Sequence, residues 1–169
     1  NGARIEKELS PISSIEPFDF IADGKTPLGQ AFELCANHIE DTNLLPIRSY
    51  SPNIILVSDG NPTDFQQYSE NMSRYDIVSW EPLKKLHSGT RSSKAIRLAM
   101  GIGGDVDTNI LKAFINDDTI PVIKAYETST IEKFFDWVSM SISVRSISVN
   151  PNAVKVCEPS MFEEDEVDF

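Results

Sequence analysis

The chain has 169 residues, 40% of them hydrophobic, and a net charge of −11; that is enough for one domain with a sizeable core and too little for two. No apolar run approaches the roughly 18 residues of a membrane-crossing helix, and no cationic segment leading into an apolar one marks a secretory leader. The acidic balance argues against nucleic acid held through its phosphates and favours cations or basic partners.

Ala3 to Leu9 alternates weakly between apolar and charged residues, the pattern of an exposed edge strand. Ser10 to Lys25 is loop-like, with Phe18 and Phe20 expected to pin its path by burial. Thr26-Pro27 opens the first clear helix, threonine as cap and proline just inside. Leu28, Phe32, Cys35 and Ile39 then recur at helical spacing. Asn53 to Asp64 (NIILVSDGNPTD) is the stretch around which the chain is organised. Ile54 to Val57 form an apolar, β-branched-rich run that suits a central parallel strand. Ser58-Asp59-Gly60 stops it, and Gly60, Asn61 and Pro62 turn the chain. Residues 65–76 show no periodicity. A short helix capped by Ser79 follows, with Trp80, Leu83 and Leu86 inward.

Ala95 to Ile102 reads as a strand ending in glycines, and Asp107 caps a helix with Ile110, Leu111, Phe114 and Ile115 inward. Thr119 to Lys124 is a third buried strand, placed at an edge because Pro121 cannot donate to a ladder. Ser129 and Glu132 form a capping box for a last helix striped by Ile131, Phe134, Phe135, Val138 and Ile142. Beyond Ser146 periodicity fades, and the acids Glu163, Glu164, Asp165, Glu166 and Asp168 suggest a solvated, mobile tail. The alternation of strand and helix predicts a three-layer α/β fold with a largely parallel sheet, residues 1–149 forming the domain and 150–169 a disordered acidic tail.

Two loops carry residues suited to chemistry: Asp23-Gly24-Lys25-Thr26 before the first helix and Ser58-Asp59-Gly60 after the next strand. In an open α/β sheet both reach the carboxyl rim, where ligands bind. The Thr26 hydroxyl and the Asp59 carboxylate are hard oxygen donors suited to Mg²⁺ or Mn²⁺. The plainer alternative for Asp59 is a turn residue bonding nearby backbone N–H groups, and for Asp64 a residue that caps or closes the turn. Gly101-x-Gly103-Gly104 lacks the dinucleotide spacing and reads as a tight turn. His38 and His87 have no carboxylate or cysteine at metal spacing, which leaves them surface roles. The two cysteines, Cys35 and Cys157, form no disulfide framework, and a reducing, cytoplasmic compartment is the default.

GKTPLGQAFELC, NIILVSDGNPTD, AIRLAMGIGGDVD and IEKFFDWVSMSISVRSISV, in this order, resemble a von Willebrand factor A (vWA) domain of the tellurium-resistance, TerY-like branch, over roughly Ala3 to Val149. The resemblance implies a Rossmann-like vWA fold and a metal-ion-dependent adhesion site in which Thr26 and Asp59 are ligands. The family's Asp-x-Ser-x-Ser element has no counterpart, so the chain, which opens on Asn1, is expected to be N-terminally truncated, with the family's first strand, first helix and second strand upstream. The implied function is a non-enzymatic, metal-ion-dependent protein-binding module, in a stress or tellurium-resistance response, whose protein partner supplies an acidic side chain to Mg²⁺ or Mn²⁺. Nucleic acid and membrane are not expected partners. Two alternatives stand beside it: a Mg²⁺-dependent phosphatase or phosphotransferase with Asp59 as nucleophile, and a metal-free scaffold.

Overall fold

The computed structural model describes residues 2–17 and 24–169; Phe18 and Phe20 lie outside them. In chain order the elements are α1 (Leu28–Glu40), β1 (Asn53–Ser58), α2 (Arg74–Val78), α3 (Glu81–Ser88), β2 (Ile96–Ile102), α4 (Thr108–Ile115), β3 (Val122–Ala125), α5 (Thr128–Ser146) and β4 (Val167–Asp168). The strands form one open sheet in the order β1-β2-β3-β4, parallel from β1 to β3 and antiparallel at β4. The layout is Rossmann-like, with helices on both faces, and no helix among the described residues is long and apolar enough to cross a membrane.

Successive strand residues point to opposite faces, and this divides the core in two. Ile54, Leu56, Ala99 and Val122 face a cluster with Leu28, Phe32 and Ala36 of α1, Leu83 and Leu86 of α3, and Ile110, Leu111, Ala113, Phe114 and Ile115 of α4. Ile55, Leu98, Met100, Ile123 and Ala125 face Phe134, Trp137 and Val138 of α5. Leu98, Ala99 and Met100 are each at most 1% exposed, as expected of a strand covered on both faces. The Asp107 carboxylate starts α4 by accepting from the Asn109 N–H at 2.8 Å, and Asn116, in the left-handed region at φ 51°, ends it.

Several sequence expectations are corrected. Ala3 to Leu9 joins no strand; Ile5 and Leu9 stay exposed, and the segment is tied down through Ala3 N–H to Gln30 Oε1. β1 is not central, for among the described residues it pairs with β2 alone. β3 is not at the edge: it begins after Pro121, so the missing donor falls outside the ladder and β4 pairs on its outer side. The featureless insertion contains α2, started by a reciprocal Ser73–Asp76 capping box, while Phe65, Tyr68 and Met72 pack on the core.

The last helix begins at Thr128 without a side-chain cap. Its buried face is Thr130, Phe134, Trp137, Val138, Ser141 and Arg145. Phe135 (50%) and Ile142 (37%) are exposed. A hydrophobicity count misses this face because two polar members are satisfied by chain beyond the helix. Ser141 Oγ accepts from the Cys157 N–H. Arg145 donates to the Pro151 carbonyl at 3.1 Å and to Asn53 Oδ1.

Residues 150–169 are likewise no detached tail. Val156, Cys157, Met161, Phe162 and Val167 pack against the second core cluster, and β4 extends the sheet. Charge counting misses this because apolar residues interleave with the acids and lysines on α4 and α5 receive two of them.

Candidate functional site

The candidate site lies at the carboxyl rim. β1 and β2 run in register from Asn53 opposite Ile96 to Ser58 opposite Gly101, so the turns after the two strands emerge side by side. Ser58, 6% exposed, locks the first turn: its hydroxyl donates to the Gly60 carbonyl at 2.9 Å and accepts from the Gly60 N–H at 3.4 Å. The turn's bonds thus run through Ser58, and the Asp59 side chain stands exposed to solvent.

The loop before α1 meets this turn. The Thr63 N–H donates to the Thr26 carbonyl at 2.9 Å. A Cβ placed on Gly60 would lie 3.5 Å from Thr26 Oγ1, so the Thr26 hydroxyl faces the Gly60 backbone. Asp64 completes the junction. Its two carboxylate oxygens accept from the Gly29 and Gln30 N–H groups at 3.1 and 2.9 Å, which satisfies the first turn of α1 and places a negative charge where the helix dipole favours one. The sequence expects Thr26 to cap this helix. Instead Pro27 occupies the N-cap position without a side-chain bond, and the capping oxygen comes from Asp64, far away in sequence. Thr26 is thereby free of capping duty, and its hydroxyl lies next to the turn that carries Asp59.

The next loop is tied to the same turn. Asn61 Oδ1 accepts from the Asp107 N–H at 2.9 Å. The Tyr68 hydroxyl donates to Asp107 Oδ2 at 2.7 Å. Burial, then the Asp107 hydrogen bond and charge, push the Tyr68 phenol well above its ordinary range, so it stays a neutral donor. Gly103 turns the chain at φ +83°, a conformation that costs glycine little. Sequence reasoning missed this Asn61–Asp107–Tyr68 bridge, for which the asparagine in the turn and the aspartate cap were the available signals.

Elsewhere the structure settles smaller questions. His87 is half-buried, not a surface residue; its Nε2 lies 3.0 Å from the Phe114 carbonyl, its Nδ1 is buried without a partner, and burial first, with the nearby Arg97 charge, lowers its pKa. Cys35 packs on the first core cluster, and burial raises its thiol pKa. A cleft of about 520 Å³ lies at the opposite, amino rim, between Ser49–Pro52, Thr90, Arg91, Lys94 and Asn152, and neither Thr26 nor Asp59 lines it.

A divalent cation of the Mg²⁺ class needs about six oxygen ligands. Among the described residues no group of three or more His, Cys, Asp or Glu side chains is arranged to hold a metal. The Thr26 hydroxyl and Asp59 carboxylate have the right donor chemistry but fall short of a complete set. Comparison with protein-family models, curated proteins and solved structures gave no match. Fold and rim together define a class, an open α/β domain with two loops joined at the carboxyl edge of a mostly parallel sheet.

Proposed function

We propose that this chain is part of a vWA-type, protein-binding scaffold module of the TerY-like branch, non-enzymatic, whose recognition rim is built on Thr26 and Asp59. The observation that carries the reading is the joining of the two loops: the Thr63-to-Thr26 backbone bond and the Thr26 hydroxyl beside Gly60. In this reading Thr26 and Asp59 give two oxygen donors to Mg²⁺ or Mn²⁺. Water and an acidic side chain of the partner supply the others. The same reading leaves the outer edge of β1, which pairs with no strand among the described residues, as a place where a further strand could pair.

Calorimetry with Mn²⁺ on the chain and on T26A and D59A tests it. Millimolar-range binding that each substitution weakens at least tenfold supports the proposal; binding of equal strength in all three overturns it. The phosphatase alternative makes a different prediction, phosphate-ester turnover that D59N abolishes.

A further inference from the structure

The opposite edge of the sheet carries an independent feature. Val167 and Asp168 lie antiparallel to Ile123 and Val122, and a two-residue ladder is marginal by itself. Side chains do the rest. Asp168 Oδ1 accepts from Lys112 Nζ of α4 at 2.6 Å. Glu166 accepts from Thr130 Oγ1 of α5 at 2.5 Å and from Lys133 Nζ at 3.2 Å. Val167, between the two acids, packs into the second core cluster. The edge of β3 therefore offers two lysine sockets on opposite helical layers, an apolar notch between them, and strand backbone that only the two residues of β4 pair.

We propose that the outer edge of β3 is an acceptor site for a short apolar–acidic strand led in by an acid, filled here by Val167–Asp168 with Glu166 at the end of the turn before them, and open to a like strand from a partner protein once that strap lifts. Main-chain pairing with pockets for alternate side chains is the chemistry of strand addition. The strap's tether stays anchored: Trp137 Nε1 donates to the Cys157 carbonyl at 2.8 Å, and the Phe162 ring meets Trp137 edge-on at 5.8 Å. A tethered strand competes at high effective concentration, so the site is closed by default and opened by whatever weakens the two sockets.

The charged and titratable groups facing the strap are Lys112 of α4, Lys124 of β3 and Lys133 of α5. For Glu166, the Thr130 bond, the Glu163 N–H and Lys133 together hold the carboxyl below its usual range. For Asp168, burial alone would raise the pKa, but bonds from Lys112 and Thr108 and the charges of Lys112 and Lys124 outweigh it.

Hydrogen exchange on the full chain, with and without the double substitution E166Q/D168N, tests this. In the double variant, exchange across 163–169 should rise at least tenfold while 96–102 keeps its protection. A labelled peptide matching residues 160–169 should bind the double variant at least tenfold tighter than the wild type, and K112Q/K133Q, combined with it, should remove that binding. Three results each overturn the proposal: wild-type 163–169 exchanging as fast as free peptide, the strap and 96–102 losing protection together, or equal peptide binding by opened and wild-type chains. If the double variant fails to fold, raising salt to 1 M on the wild-type chain is the substitute; strap exchange that does not rise overturns the proposal.

Discussion

At the β3 edge a strand, two lysines and an aromatic anchor close the sheet, whereas the outer side of β1 has no strand beside it among the described residues. The β1 edge is apolar. Ile54, Ile55 and Leu56 are only half-buried, Val57 is 40% exposed, and on the α5 flank turned away from the strap Phe135 and Ile142 are exposed too. No lysine, proline or acid interrupts Asn53 to Ser58, although proteins commonly blunt free edges with such residues. One edge is thus finished by charge and the other left as apolar surface of the kind a neighbouring strand covers.

The closed edge depends most on Trp137, which joins the strap to the core. W137A, emptying a site 0% exposed and removing the bond to Cys157, should cost about 3–5 kcal/mol, read by circular dichroism in urea; a loss below about 1 kcal/mol would mean the strap adds little. On the rim beside the open edge, D64A leaves the Gly29 and Gln30 N–H groups without their acceptor and should cost about 1–2 kcal/mol in the same assay.

Acid separates the two edges more gently. Glu166 and Asp168 titrate below their ordinary values when folded. Their stabilisation is fully present above the unfolded carboxylate pKa and is lost as pH falls through the depressed folded values. Proteolysis of 160–169 should therefore accelerate below about pH 4, before β2 loses its exchange protection. The smallest effect on stability is expected at the open edge. V57K adds a gatekeeping charge to an exposed position and should change folding by about 0.5 kcal/mol or less, yet lower light scattering at high protein concentration; unchanged scattering would show that this edge does not drive association.

The alternating elements were legible in the sequence because Phe32, Leu83, Leu98 and Phe114 mark their elements by apolar period and run length, and these side chains are buried. The Thr26 and Asp59 loops do meet at one rim, but strand–helix alternation does not account for it. No strand precedes α1 among the described residues, and the Thr63-to-Thr26 backbone bond joins the loops instead. The identity of the capping residue did not follow either. Asp64 reaches α1 across a tertiary contact, and local pattern points to the adjacent Thr26. The α5 face and the strap were hidden for a related reason: Ser141 and Arg145 count as polar until the backbone that satisfies them is in place.

In the proposed function Thr26 and Asp59 form one cation-accepting rim. Amide NMR spectra recorded during titration with Mn²⁺, whose unpaired electrons broaden nearby signals, test it directly. Broadening centred on Thr26 and Ser58 to Asn61, which T26A and D59A each diminish, is the expected result. Broadening confined to the exposed acids Glu163 to Asp165, with the rim signals unchanged, would contradict it.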